Sequence, residues 1–360
     1  MAGHQWTVAA LVSVFALAPA VASGQTAAER KWEVEGHGGF AASTTPTGGD
    51  AATLPAGTPF ATFTSTQSRY VSSWLFGDGT VLINGVNSRL APFAKITPLD
   101  AVIGSAAAAR GSGGAAGLRV TRRFGSRYSA EFSFDYARTP LAFTDEALDG
   151  IEASRSTFVN AFRGLFMSGP SSNPNVTAAT TLTDGSRSEL LATAVFGVDL
   201  VRSGKLIPFV VAGGGMVHSG GGPTARLVGR YAFPVPPVPG IDETDSVTIR
   251  VAQRANAPVG VFGGGVRYDL SSRWGVRGDV RFLAGGGTDG VLIDAAPSVV
   301  KSNPGLVLIT PTSPIPTAVF SSANPIAGSL TGPAISGLRT FTASGVPIRT
   351  SLAAGVYLRF

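Results

Sequence analysis

The ionisable side chains of this chain fall on segments in which every second residue is apolar. Seven acidic residues, five arginines and one histidine occupy the polar positions of such segments. Successive side chains of a β-strand point to opposite faces, so these residues are expected on one face of a sheet. We predict that a network of ion pairs is formed by Glu33, Glu35, His37, Arg119, Glu131, Asp135, Asp199, Arg267, Asp269, Arg277, Asp279, Arg281 and Arg359.

Catalysis has little support among the same residues. His218 lies beside Ser219, as a base beside a nucleophile would, but neighbours on a strand face opposite ways. His37 and Glu35 share a face, where a histidine bonded to a carboxylate is the simpler interpretation. The chain has no cysteine and no zinc, calcium or phosphate-binding motif. We therefore predict no catalytic residue, cofactor or metal site, and we expect Asp78, between two glycines, to be a turn residue.

Eight alternating segments must position the charged residues. Each is about ten residues long, the length of a tilted membrane-spanning strand, whereas ordinary strands average about five or six. Tight polar turns alternate with long connections, as in a barrel whose two rims face the periplasm and the outside. The predicted strands lie near residues 32–41, 114–124, 128–137, 189–201, 206–218, 259–270, 274–283 and 349–360.

Two folds can accommodate such strands. In a soluble sandwich the apolar faces form the core, whereas in an outer-membrane barrel they face lipid and the small polar faces fill the lumen. The even strand number, the strand length and the alternating connections favour the barrel. We predict an all-β protein, an eight-stranded antiparallel up-and-down transmembrane β-barrel with both termini in the periplasm.

A leader and long loops complete the predicted organisation. An apolar run followed by small residues predicts a signal peptide over residues 1–24, which leaves a mature barrel over residues 25–360. The loops are rich in Gly, Ala, Ser, Thr and Pro and are expected to be extracellular and partly mobile. They cover residues 42–113, 138–187, 219–258 and 284–347.

Some loop segments have recognisable patterns. Apolar residues recur at helical spacing from Thr144 to Phe166, which predicts an amphipathic helix. Residues 225–233 and 246–253 are expected to continue strands five and six beyond the bilayer. The apolar segment from Tyr70 to Val86 has no assigned structure.

Two segments carry a resemblance to a known family. A Pro-aromatic, glycine-rich strand begins at Pro208, and the last strand ends on an aromatic residue. The strands and turns, but not the loops, resemble the small OmpA-type outer-membrane β-barrel family. The closing-strand signal consists of Leu352, Val356, Leu358 and Phe360.

The resemblance implies a bacterial outer-membrane location. It also implies contact with outer-membrane lipid and lipopolysaccharide, and recognition of the closing strand by the barrel-assembly machinery. The family includes structural anchors, adhesion factors, narrow pores and lipid-modifying enzymes.

The width of the barrel favours one of these functions. Eight strands leave room only for side chains, so we expect a non-enzymatic protein with a filled, charge-paired lumen. Its loops would act in surface interaction, adhesion or envelope integrity, with an extracellular ligand or surface as partner. The alternatives are a narrow pore for ions or small solutes and a lipid-A-modifying enzyme that uses His218.

Composition excludes two further classes. Only 14% of residues are charged and the mean hydropathy is +0.25, which is opposite to the composition of a disordered chain. The net charge of +6 could indicate nucleic-acid binding, but many arginines are assigned to the lumen or to rims, where they meet lipid headgroups. No helix or aromatic-basic platform for nucleic acid is evident, so none is expected as a partner.

Overall fold

The computed structural model describes most of the chain after its first thirty residues. The described residues are 31–44, 48–54, 73–90, 94–167, 175–201, 204–235, 238–253, 255–286, 289–296, 306–307, 319–320 and 335–360. The predicted signal peptide lies outside them. In chain order the elements are β1 (Trp32–Ser43), β2 (Gly49–Ala51), α1 (Gly77–Leu90), α2 (Asp100–Ile103), β3 (Ala108–Arg110), β4 (Gly113–Phe124), β5 (Tyr128–Phe143), α3 (Asp145–Met167), β6 (Asn175–Thr183), β7 (Gly185–Asp199), β8 (Leu206–Gly220), β9 (Thr224–Val235), β10 (Val238–Gln253), β11 (Asn256–Asp269), β12 (Trp274–Gly285), β13 (Asp289–Ala296), β14 (Leu306–Val307), β15 (Val319–Phe320), β16 (Ile335–Ala343) and β17 (Ile348–Arg359).

Eight of these strands form a closed antiparallel barrel. The order around the barrel is β1, β4, β5, β7, β8, β11, β12 and β17, and β17 returns to pair with β1. Each strand pairs with the barrel strands that precede and follow it along the chain, so the topology is up-and-down. The predicted eight-stranded antiparallel up-and-down barrel is confirmed.

The outer face of the barrel is an apolar belt. Side chains that alternate with the buried ones are large, apolar and exposed; Phe262, at mid-height, is 62% exposed. Trp32, Tyr128 and Trp274 lie at the end of the belt where the short turns are. The outward positions at the other end become polar, with Arg138 and His218. Between these limits the strands are about ten residues long, enough for tilted strands to cross a bilayer.

The described parts of the long connections have regular secondary structure. They supply a second antiparallel sheet of six strands, in the order β2, β16, β13, β10, β9 and β6. Each of these strands continues a barrel strand after a break of one to five residues, and the order matches that of β1, β17, β12, β11, β8 and β7. We call this sheet, together with α1, α2 and α3, the cap. Three of its five pairings, β2 with β16, β13 with β10 and β9 with β6, join strands from different connections, and the sequence pattern does not reveal such pairings.

The cap has its own apolar core between the sheet and the helices. Trp74, Phe158, Phe162 and Tyr231 are fully buried in it, and the rings of Phe162 and Tyr231 stack with centroids 4.4 Å apart. Its sheet turns polar residues such as Arg226 outward. The apolar outer surface therefore ends where the barrel ends.

Three predictions for the connections have definite outcomes. Helix α3 lies where helical spacing predicts it, and β9 and β10 contain the two predicted strand extensions, as a hairpin of the cap sheet. Asp78 was expected in a turn but lies in the first turn of α1. An acidic side chain is favourable there because the N-terminus of a helix is partly positive. Within the described residues, no helix has the length and hydropathy needed to cross a membrane.

Candidate functional site

The middle of the barrel lumen is filled by arginines and carboxylates. Arg119 on β4 is 2% exposed and contacts carboxylates from three other strands. Its Nη1 lies 2.7 Å from Glu35 Oε1 and 3.0 Å from Asp279 Oδ2, and its Nε lies 3.0 Å from Glu131 Oε1. One guanidinium thus links β1, β5 and β12 across the lumen.

Two arginines of β12 complete this central cluster. Arg277 Nη1 lies 2.8 Å from Glu131 Oε2, and its guanidinium lies 4.2 Å from the ring centroid of Phe209. Arg281 Nη2 lies 2.5 Å from Glu131 Oε1 and 3.3 Å from Asp279 Oδ2. Glu131 therefore forms ion pairs with three arginines and accepts hydrogen bonds from Arg277 and Arg281, and buried charges require this kind of multiple pairing.

A second cluster lies toward the short-turn rim. Asp199 contacts Arg267 at 2.6 Å and Arg123 at 2.5 Å, and Arg359 lies 2.9 Å from Glu33. Arg123 and Arg267 also approach Glu33, at 3.4 and 3.5 Å. These contacts join five strands of the barrel: β1, β4, β7, β11 and β17.

The remaining predicted residues lie at the edges of the two clusters. Tyr357 donates to Asp269, which also lies 3.2 Å from Arg359. His37 Nε2 lies 2.5 Å from Asp135 Oδ1. Glycine is needed at position 117, because a Cβ there would lie 2.4 Å from Asp135 Oδ1. All thirteen predicted residues therefore lie on the inner face of the barrel, in its lumen.

Five further lumen residues did not appear in the prediction. Arg187 and Arg349 both pair with Glu189 near the cap, and Arg123 and Tyr357 are described above. Strand parity could have identified each, because Arg123 shares the parity of Arg119, and Arg349 that of Arg359. With these additions, the ionic contacts of the lumen involve eight arginines and eight carboxylates. The charges balance, and the carboxylates are Glu33, Glu35, Glu131, Asp135, Glu189, Asp199, Asp269 and Asp279.

Little open space remains between these side chains. One cavity in the half of the lumen nearer the cap has a volume of ≈ 40 Å³ and is bordered by Asp135 and Arg119. The next, nearer the cap, has ≈ 20 Å³ and is bordered by Arg187 and Glu189. Each has room for a few water molecules at most.

A larger cavity lies in the cap. It has a volume of ≈ 830 Å³ and lies between α1, α2 and β16, with Phe76, Lys95, Asp100 and Leu338 among its lining residues. It shares no lining residue with the two lumen cavities.

His218 and Ser219, the neighbouring pair considered for catalysis, lie on opposite faces of β8. His218 points outward, and its Nδ1 lies 2.7 Å from Asn256 Oδ1. Ser219 is buried on the opposite face of β8, where its hydroxyl lies 3.4 Å from Glu189 Oε1. Among the described residues, no three His, Cys, Asp or Glu side chains are arranged to hold a metal ion.

The core of the cap contains a buried acidic pair that sequence reasoning missed. Asp245 Oδ2 accepts from the Ser73 hydroxyl at 2.9 Å and from the Trp74 backbone N–H at 2.7 Å. Glu243 accepts from the Tyr231 hydroxyl, which itself accepts from Trp74 Nε1 at 2.8 Å. No arginine, lysine or histidine in the described residues pairs with either carboxyl. Burial raises the pKa of Glu243 and the pKa of Asp245, each to about 7.

The similarity of this chain to known proteins is to solved structures. No family model matches the chain, and no curated protein matches its sequence. The chain is similar to the crystal structure of the outer membrane protein OprG from Pseudomonas aeruginosa, with 8% sequence identity and a TM-score of 0.36. The match covers 92% of this chain and 97% of that chain.

Proposed function

We propose that this protein is a non-conducting, non-enzymatic outer-membrane barrel that anchors its cap at the cell surface. In this proposal the short turns and both termini face the periplasm, and the cap acts outside in surface interaction, adhesion or envelope integrity. The observation that carries the proposal is the central lumen cluster. Glu131 and the three arginines around it occupy the cross-section through which a solute would pass.

The outer surface supports the membrane location. An apolar belt of about the height of a bilayer encircles the barrel, while the cap sheet beyond it exposes arginine and threonine. Water on both surfaces would leave the belt as an unusually large exposed apolar area. The apolar belt therefore suits contact with lipid, and the polar outer face of the cap sheet suits contact with water.

Conductance in planar bilayers tests the non-conducting function. The complete chain, inserted into a bilayer, is expected to give no stepwise current, because the central cluster leaves no open cross-section. The variant Glu131→Ala, which removes the carboxylate shared by three arginines, is the matched comparison. Stable unitary currents from the unmodified chain, with an ion selectivity that changes in Glu131→Ala, would instead establish the narrow-pore alternative.

A charge in the apolar belt tests the lipid contact. Phe262→Arg at mid-height is expected to lower the free energy of unfolding in lipid vesicles by about 2–4 kcal/mol, the cost of an arginine at the midplane. Urea titration of the vesicle-inserted protein measures it. Thr342→Arg, on an exposed position of the cap, is the control and should change the free energy little. Equal effects at both positions would contradict a lipid-facing belt.

A further inference from the structure

The short-turn rim carries exposed charge of one sign. Since the lumen charges balance, they contribute nothing to the surplus of basic residues. At this rim the described basic residues outside the lumen clusters are Lys31, Arg122, Arg127, Lys205 and Arg273, and all but the half-buried Arg127 are exposed. The carboxylates nearby, Asp199, Asp269 and Glu33, are paired inside the lumen. Every exposed charged side chain in the described part of this rim is therefore basic.

The opposite end of the belt differs. Arg138 there donates to the Ser186 hydroxyl at 3.0 Å, and Arg250 in the cap sheet lies 2.9 Å from Asp294. In contrast, the four exposed cations of the short-turn rim form no ion pair with a carboxylate in the described residues. In the described part of the chain, this rim therefore presents a ring of exposed basic residues at the edge of the lipid belt without carboxylates paired to them.

Arg122 is the best-positioned member of the ring. It lies directly across from Trp32 in the pairing of β1 with β4, and its guanidinium carbon lies 5.3 Å from the Trp32 ring centroid. The Phe124 ring centroid is 5.4 Å away on the same strand. Contact with two rings holds an arginine at a defined height while its N–H donors remain free for an anion. Tryptophan at such a rim marks the level of the headgroups.

We propose that the short-turn rim binds the phosphate groups of anionic phospholipids, with Arg122 as the central contact. A guanidinium donates two parallel hydrogen bonds to a phosphate, and the lysines and Arg273 supply charge around the rest of the rim. The proposal rests on the membrane-spanning barrel proposed above and adds the class of lipid that surrounds one rim. It also explains why the rim has basic residues in an otherwise charge-poor chain.

Native mass spectrometry of lipid retained by the protein tests this site. The complete chain is inserted into phosphatidylcholine vesicles that contain a minor fraction of phosphatidylglycerol, and the lipids that remain bound after mild detergent extraction are counted. A basic residue near an anionic surface gives about a fivefold preference. We expect phosphatidylglycerol to be enriched about fivefold on the unmodified protein, and less so at high ionic strength because salt screens the contacts.

Two sets of substitutions identify the rim as the source. The enrichment of phosphatidylglycerol should be abolished when the four exposed rim residues are changed to glutamine: Lys31, Arg122, Lys205 and Arg273. The single substitution Arg122→Gln should reduce it. The control removes the same charge from the cap by changing Lys95, Arg226, Arg250 and Arg339 to glutamine, and the enrichment should persist. Both sets are first shown to migrate as folded barrels in unboiled gels.

The possible results separate the two proposals. A protein that inserts but shows no enrichment, or that loses it equally with the cap substitutions, overturns the rim site and leaves the anchoring function intact. A protein that does not enter vesicles at all overturns both. If the fourfold rim variant does not fold, Arg122→Gln and the salt dependence of the unmodified protein decide the question.

Discussion

Replacing Glu131 with alanine is expected to lower the free energy of unfolding of the barrel by about 3–5 kcal/mol. Glu131 is 5% exposed and contacts Arg119, Arg277 and Arg281. Its loss leaves three buried guanidiniums to share two carboxylates, and an uncompensated buried charge is the costly part of breaking such a pair. Urea titration of the vesicle-inserted protein gives the value.

Two comparisons separate charge imbalance from loss of packing. Glu152→Ala removes an exposed carboxylate that pairs with Arg155 on α3, and it should change the free energy of unfolding little. Adding Arg281→Met to Glu131→Ala should recover part of the loss, because the double variant restores the charge balance. A loss for Glu131→Ala no larger than that for Glu152→Ala would contradict the interpretation of the lumen as a tightly coupled ionic core.

The stability of the cap is expected to fall as the pH rises from about 4 to about 7. Glu243 and Asp245 have a pKa of about 7 in the folded cap, raised by burial, whereas carboxyls in an unfolded chain ionise near pH 4. Below about pH 4 the two carboxyls are protonated in both the folded and the unfolded state, so their ionisation does not lower the stability of the cap. Between the two values the unfolded chain releases protons that the folded cap retains, so each carboxyl costs about 3–4 kcal/mol by pH 8.

Proteolysis of the cap in the vesicle-inserted protein measures this effect across the pH range. Susceptibility should rise toward pH 8, while the barrel keeps its folded migration on unboiled gels. The double variant Glu243→Gln with Asp245→Asn keeps the oxygen acceptors for Tyr231 and Trp74 and cannot ionise. Its susceptibility should therefore stay flat, which also controls for the pH dependence of the protease. An equal rise of protease susceptibility with pH in the unmodified protein and in the double variant would contradict the proposal that Glu243 and Asp245 cause the pH dependence.

Strand parity predicts most of the barrel and its lumen because the side-chain period of a strand is fixed. Once Arg277, Asp279 and Arg281 are placed on one face of a strand, their joint position inside a closed barrel follows from topology. Arg123 lies within the predicted strand 114–124, but it was assigned to the rim of the barrel and not to the lumen. Parity predicts the face on which a side chain lies but not its partner. The ion pair between Arg119 and Glu131 therefore depends on side-chain positions that the sequence pattern does not contain.

The cap could not be predicted in the same way. Strand β6 consists mainly of threonine and alanine and buries only Val176 fully, so its sequence has no apolar alternation. The sequence from 242 to 245 is acidic and suggests a solvent-exposed segment, yet Glu243 and Asp245 face the core. Their burial depends on Tyr231, which lies opposite Glu243 in the β9–β10 hairpin, and on Trp74, which reaches the site from a distant part of the chain.

The continuation of six barrel strands into the cap has a mechanical consequence. A domain joined by one flexible tether swings freely and passes on only the tension in that tether. Here a pull on the cap is divided among six covalent connections arranged in the order of the barrel wall, so it reaches the membrane as shear along neighbouring strands. Many interstrand hydrogen bonds must then break together, and we expect the cap to resist detachment under load.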